Sequence, residues 1–225
     1  MAQLLSVNLG HPRSADYTDA AFTGIDKRPA EGRVAVAAPG GPTGTVGSGV
    51  VGDAIGDLRD HGGDDQAVYA FTREDLDSWE EKLGRALPNG VFGENLTTSG
   101  LDVSGALIGE RWRVGADLVL EVTSARIPCR TFAGWLGEKG WVRRFTQAAR
   151  PGAYLRVVEP GEIEAGDGIE VVFRPGHDVT VEILFRALTT EAELLPRALT
   201  AGDALNPAFA ERIRRRLARQ PGKAS

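Results

Sequence analysis

The chain has 225 residues, 42% of them apolar, enough for one core of ordinary size with a small appendage. Its net charge of −5 gives no global basic field for gripping nucleic acid, and no run of eighteen apolar residues offers a membrane-spanning helix. A single cysteine, Cys129, excludes an internal disulfide and an iron–sulfur cluster held by four thiolates of one chain, and it fits a reducing, cytoplasmic location.

The first residues, "MAQLLSVNLG", lack the charged start and long apolar core of a signal peptide. In "TGIDKRPAEGRV" (23–34), Lys27 and Arg28 stand before a proline. Such a pair of cations can hold a phosphate, although two adjacent basic residues are also common on any surface. In "GDLRDHGGDDQAVYAF" (56–71), His61, Gly62 and Gly63 precede a strand. Paired glycines let backbone N–H groups approach an anion, and they equally suit a tight turn capped by the histidine. Asp53, Asp57, Asp60, Asp64 and Asp65 crowd the same stretch, without the regular spacing of a calcium loop.

The spacing then predicts a strand at 67–71 and a helix after Thr72, whose pairing with Asp75 resembles a capping box and whose Leu76, Trp79 and Leu83 share a face. "FGENL" (92–96) reads as a turn entering a strand. Within it, Gly93, Glu94 and Asn95 offer a carboxylate and an amide. Asn95 either ties down the loop or reads the edge of a heterocycle. Strands follow in "WRVGADLVLEV" (112–122), "AYLRVVE" (153–159) and "IEVVF" (169–173), the first alternating as a partly buried strand does. Between them, "SARIPCR" (124–130) places Cys129 among Arg126 and Arg130. Turned inward, those cations favour the thiolate; turned outward, they leave the sulfur as a small core residue.

Many short strands, frequent turns and few helices favour a mainly β fold, a compact barrel, over residues 1–175. From 176 to 225 three helices are expected. The first carries Val181, Leu184, Phe185 and Leu188; the second is capped by Thr190 and Glu193; the third follows Asn206-Pro207 and carries Phe209, Ile213 and Leu217. Its basic run "RIRRRLAR" (212–219) reads as the solvated side of an amphipathic helix, and the last few residues read as disordered. His11 and His177 lie in turns and read as structural, and no P-loop or dinucleotide fingerprint is present.

In order, "GIDKRPAEGRV", "GVVGDAIGDLRDHGGDDQAVYAF", "FGENLTTSGLD", "IGERWRVGADLVLEV", "RIPCR" and "GAYLRVVEPGEIEAGDGIEV" resemble the MOSC domain family, named for the carboxy-terminal domain of molybdenum cofactor sulfurase, and above all its stand-alone YiiM-like branch. That branch often has proline directly before the arginine of the cysteine motif, where this chain has Ala125. The resemblance implies a β-barrel that binds the pyranopterin molybdenum cofactor, with Cys129 as the thiolate ligand of the metal. It implies Lys27, Arg28 and Arg126 facing the anionic parts of the cofactor, and His61, Gly62, Gly63, Gly93, Glu94 and Asn95 lining the pocket. It further implies an oxidoreductase that reduces N-hydroxylated small molecules to amines, independent of pyridoxal phosphate. Electrons come from a separate reductase protein, and His61 and Glu94 are candidate proton donors beside the catalytic Cys129. Neither nucleic acid nor a membrane is an expected partner, and a homodimer is compatible with the pattern. Two other readings use the same cysteine: a persulfide carrier, and a module that binds the pterin cofactor without turnover.

Overall fold

The computed structural model describes residues 1–40, 46–59 and 61–219. Asp60 of the acidic stretch and the expected disordered tail at 220–225 lie outside the described residues. Among the described residues ten strands run in chain order: β1 (Gln3–Gly10), β2 (Lys27–Pro29), β3 (Val34–Val36), β4 (Val68–Thr72), β5 (Leu96–Ser99), β6 (Arg111–Val114), β7 (Leu118–Ala125), β8 (Ala153–Glu159), β9 (Gly161–Ile163) and β10 (Ile169–Phe173). Among the described residues six α-helices accompany them: α1 (Arg73–Leu83), α2 (Arg130–Leu136), α3 (Trp141–Ala148), α4 (Val181–Thr189), α5 (Leu195–Ala198) and α6 (Pro207–Ala218).

Eight strands form one sheet in the order β10-β6-β7-β8-β4-β5-β1-β2, and β3 pairs with β9 separately. Neighbours are antiparallel except β4 and β5, which run parallel because α1 carries the chain back between them. The two ends of this order are not joined by a ladder. An isolated bridge, Gln3 to Gly168, and bonds from the Leu4 N–H to the Asp167 carbonyl, the Gly166 N–H to the Leu4 carbonyl and the Ile169 N–H to the Ala2 carbonyl bring the start of β1 against the segment leading into β10, without forming a ladder. The fold is therefore sheet-rich, as expected, but the pairing stops short of a closed barrel.

Strand β7 departs from the expected alternation. All eight of its residues are buried, because it lies inside the sheet with α4 and the Asp64–Gln66 turn packed against it. Strand β1 had no reading of its own in the sequence, yet it is a long member of the sheet, between β5 and β2. Helix α1 forms as its cap predicts. The Thr72 hydroxyl accepts the Asp75 N–H at 3.1 Å, Leu76 and Trp79 face the core, and Gly84 ends the helix with φ of 66°.

Helices α2 and α3 were not expected. Each is too short to show a convincing period, and such helices depend on tertiary packing more than on propensity. Their aromatic rings supply that packing: Phe132, Trp141 and Phe145 close around Phe92 and Trp79, with centroid separations between 4.7 and 6.4 Å. Phe145 also meets Phe185 of α4 at 6.4 Å, joining this cluster to the carboxy-terminal helices.

Three α-helices do end the chain, with one difference. Thr190 is the last residue of the α4 turn rather than a cap for the next helix. The second helix is a 3-10 turn at Ala192–Leu194 that runs into the four residues of α5. Helix α4 is capped instead by Thr180, whose hydroxyl accepts the Ile183 N–H at 3.1 Å. Replacing Phe145 with Ala removes the ring shared by the two halves, and the expected loss in urea unfolding is about 3–5 kcal/mol; a loss below about 1 kcal/mol would show that the cluster does not hold the helices to the sheet.

Candidate functional site

Cys129 leaves the end of β7 in extended conformation, φ −119° and ψ 174°, and stands at the position before α2. Its sulfur is half-buried where two cavities meet. The inner cavity holds about 650 Å³, open at its mouth, and is lined by Lys27, Asp53, His61, Tyr69, Arg126 and Tyr154 among others. The outer cleft, about 1130 Å³, shares Cys129, His61 and Tyr154 and adds Arg59, Arg130 and Arg212.

The two arginines around Cys129 part company. Arg126, only 6% exposed, stays inside, over the rings of Phe132 at 4.7 Å and Tyr69 at 5.1 Å. One Nη donates weakly to the Phe92 carbonyl at 3.5 Å, and its Nε is buried with no partner. Arg130 turns outward to the Asp19 carboxylate at 3.1 Å. Burial alone pushes the Cys129 thiol up, but the hydrogen bond from His61, the Arg126 charge and the Phe132 N–H outweigh it and bring the thiol down to about 6. At neutral pH the sulfur is therefore an anion.

The loop histidine and glycines divide in the same way. His61 bonds the sulfur, and Gly62, with φ of 82°, lines the inner cavity. Gly63 is exposed and its N–H already donates to the Gly47 carbonyl at 2.9 Å, so it does not face the cavity. Gly93 does: its φ of 77° admits no ordinary side chain, and a Cβ there would stand 3.6 Å from an Arg126 Nη.

Three expected cofactor contacts are occupied elsewhere. Arg28 is exposed and makes a two-pronged pair with Asp26, at 2.8 and 3.1 Å. Glu94 is fully buried, and its carboxylate accepts the N–H groups of Gly90 (2.5 Å) and Phe92 (3.0 Å) and the Thr97 hydroxyl (2.9 Å). It closes a tight turn, so it is neither a pocket wall nor a proton donor to the cavity. Asn95 touches the cavity, but its amide oxygen accepts the Tyr69 N–H at 3.1 Å and its nitrogen donates to Asp53 at 2.9 Å and the Asn8 carbonyl at 3.3 Å. It ties the loop rather than reading a heterocycle.

Asp53 is the partner that sequence reasoning missed. At 4% exposure, its carboxylate accepts the Gly10 N–H at 2.7 Å, the Ser48 hydroxyl at 2.8 Å and the Asn95 amide, and it pairs with the Lys27 ammonium. Burial drives the Lys27 ammonium below its ordinary value against the pull of Asp53. Asp53 itself is held below the usual carboxylate range, its burial outweighed by Lys27, Asn95 and Ser48. Lys27 thus lines the cavity as half of an ion pair, with its charge already matched. Among the described residues no cluster of three or more His, Cys, Asp or Glu side chains is arranged to hold a metal.

Tyr69 and Tyr154 were legible only as strand residues. They face each other across β4 and β8, with ring centroids 5.2 Å apart. Tyr69 donates to the Pro151 carbonyl at 2.8 Å, and Tyr154 hydrogen-bonds Arg126.

A family model for the MOSC domain matches residues 57–170. The chain belongs to the MOSC domain family. The uncharacterized protein YflK of Bacillus subtilis is 35% identical over 184 residues, covering 81% of this chain and 79% of YflK. A reductase of Gibberella moniliformis is 30% identical over 139 residues, which are 60% of this chain and 24% of that protein. The crystal structure of YiiM from Geobacillus stearothermophilus superposes with a TM-score of 0.76 at 25% identity, over 96% of this chain and 100% of that one. MOSC domains are associated with binding of the molybdenum cofactor. The matched segment contains His61, Arg126 and Cys129, whereas Lys27, Asp53 and Arg212 of the same cavities fall outside it. Among the described residues no helix is long and apolar enough to cross a membrane.

Two outcomes follow for this MOSC site. In cofactor-free protein, alkylation of Cys129 by iodoacetamide should rise with pH through a midpoint near 6 and move upward in His61→Ala, since the thiolate loses a donor; a midpoint at the ordinary thiol value of about 8.5 would contradict the site electrostatics. Asp53→Asn leaves the Lys27 ammonium without its counter-charge, and a loss of about 3–5 kcal/mol in unfolding free energy is expected; unchanged stability would mean that the ion pair does not organise the cavity.

Proposed function

We propose that this MOSC protein holds the pyranopterin molybdenum cofactor with Cys129 as the protein's ligand to the metal, and reduces N-hydroxylated compounds to amines. The observation that carries the reading is the pairing of the chain's single thiol with a buried guanidinium. The sulfur is anionic, as a metal ligand must be, and the Arg126 Nε beside it is a buried donor without a partner. The donor set fits this group. Cys129 would hold the metal and Arg126 an anionic part of the group, and the cofactor would supply the remaining donors through its two dithiolene sulfurs.

In this reading Arg126 binds an anionic part of the cofactor, and Gly62 and Gly93 let it approach the backbone closely. The Lys27–Asp53–Asn95 network forms another wall, and Arg126 is held over the Tyr69 and Phe132 rings with a hydrogen bond to Tyr154. When bound, the cofactor supplies the two-electron exchange that breaks the N–O bond. The balance is an N-hydroxyl group plus two electrons and two protons giving the N–H group and water. The electrons come from a separate donor protein. His61 is the residue suited to hold a proton there, because its imidazole bonds the sulfur and lines both cavities. The MOSC family and the relative named a reductase support an enzyme of this kind.

Molybdenum and pterin content should be stoichiometric in wild type and lost in Cys129→Ala, with circular dichroism unchanged and reduction of benzamidoxime abolished. Undiminished metal content and turnover in that variant would sink the proposal. A wild-type protein free of metal but carrying one added sulfur atom on Cys129 would favour persulfide transfer instead.

A further inference from the structure

Helix α6, outside the matched MOSC segment, supplies part of the outer cleft through Phe209 and Arg212. These residues are three apart and so share one helix face. The helix is fixed there by a double use of Asn206. The oxygen of its side-chain amide caps α6, accepting the N–H groups of Ala208 (2.8 Å) and Phe209 (3.4 Å). Its nitrogen donates to Asp65 at 2.5 Å. Asp65 is held in turn by Arg156 at 2.7 Å and, through its carbonyl, by the Thr123 hydroxyl at 2.5 Å. The next residue, Gln66, lines both cavities. Ile213 and Ala210 are buried and anchor the helix to the core, against which Phe209 is partly packed. The wall therefore stands on the same turn that leads from His61 into β4.

The charges of that cleft are Arg59, Arg130 and Arg212 against Asp19 and Asp57. Arg130 is taken by Asp19. The Asp57 side chain accepts the Arg59 N–H at 3.1 Å, and its carbonyl accepts the His61 N–H. Arg212 makes no ion pair or hydrogen bond among the described residues, although a guanidinium is suited to grip a carboxylate or phosphate with two parallel bonds. We propose that α6 is the substrate-recognising wall of the site: Arg212 binds an anionic group on the substrate while Phe209 covers the substrate's planar apolar body, which selects N-hydroxylated compounds bearing a carboxylate or phosphate. This rests on the reductase reading for the identity of the substrate, but not for the binding itself.

The test compares benzamidoxime with 4-carboxybenzamidoxime on cofactor-loaded protein. Binding is measured by calorimetry without an electron donor, and turnover is measured separately with one. Wild type should bind the carboxylate probe about tenfold more tightly than the neutral one, and Arg212→Gln should remove that preference. Arg214→Gln, an exposed change that does not line the cleft, should keep it. Pterin content should be equal in all three proteins. Equal binding of the two probes by wild type, a preference that survives Arg212→Gln, or one lost equally in Arg214→Gln would overturn the proposal. So would loss of pterin from Arg212→Gln, because the anion recognised would then be the cofactor's own phosphate. If the preference appears and vanishes as expected while neither probe is reduced, α6 stands as the anion-recognising wall and the reductase reading fails.

Discussion

A single buried carboxylate organises the interior of this molecule. Asp53 has been taken out of water, and a charge in that position is tolerated only where every lone pair finds a donor. The donors come from four separate stretches: the end of β1 at Gly10, the loop at Ser48, β2 at Lys27 and the turn before β5 at Asn95. Satisfying Asp53 therefore brings together segments that are far apart in sequence, and the inner cavity is the space they enclose. The arrangement explains why Lys27 and Asn95 line that cavity while having little capacity left for a ligand.

Once those walls are set, the cavity has one strongly unbalanced corner. Arg126 enters from the end of β7 with two aromatic rings beneath it and an unsatisfied Nε, and Cys129 follows three residues later on the other side of Pro128. Burial opposes a thiolate there, whereas His61 and Arg126 favour one more strongly. Position and charge state thus have one origin. The strand carries the arginine inward, the proline turns the chain, and the short helix α2 begins at the sulfur with its first N–H groups nearby.

That short helix exists because of the aromatic cluster. Phe132 and Trp141 pack on Phe92, which lies in the turn closed by Glu94. The cysteine segment and the glycine-rich turn are consequently fastened to one hydrophobic centre, and Phe145 extends it to α4. The carboxy-terminal helices are therefore continuous with the core that positions the site. The bond from Asn206 to Asp65 makes the same link at the mouth of the cleft.

The amino-acid sequence determined those features that depend on neighbouring residues. The strands at 67–71, 153–159 and 169–173, the Thr72 and Asn206 caps and the ordered MOSC motifs were readable from local pattern, because β-branched runs, capping side chains and turn glycines act over a few positions, whereas the stretch at 112–122 is a hairpin of β6 and β7 rather than one strand. What the tertiary structure decided was which of the candidate groups remain free. Arg28 pairs with the buried Asp26 and Arg130 with the exposed Asp19, Glu94 and Asn95 are used up within the protein, and the Arg126 Nε is not. Arg28 and Glu94 find partners within four residues, whereas Asn95 pairs with Asp53 and Arg130 with Asp19, 42 and 111 positions away, beyond the reach of any local rule. The same holds for Asp53, α2 and α3, and for the open edges of the sheet, where long-range packing and pairing choose among states that the local sequence leaves nearly equal.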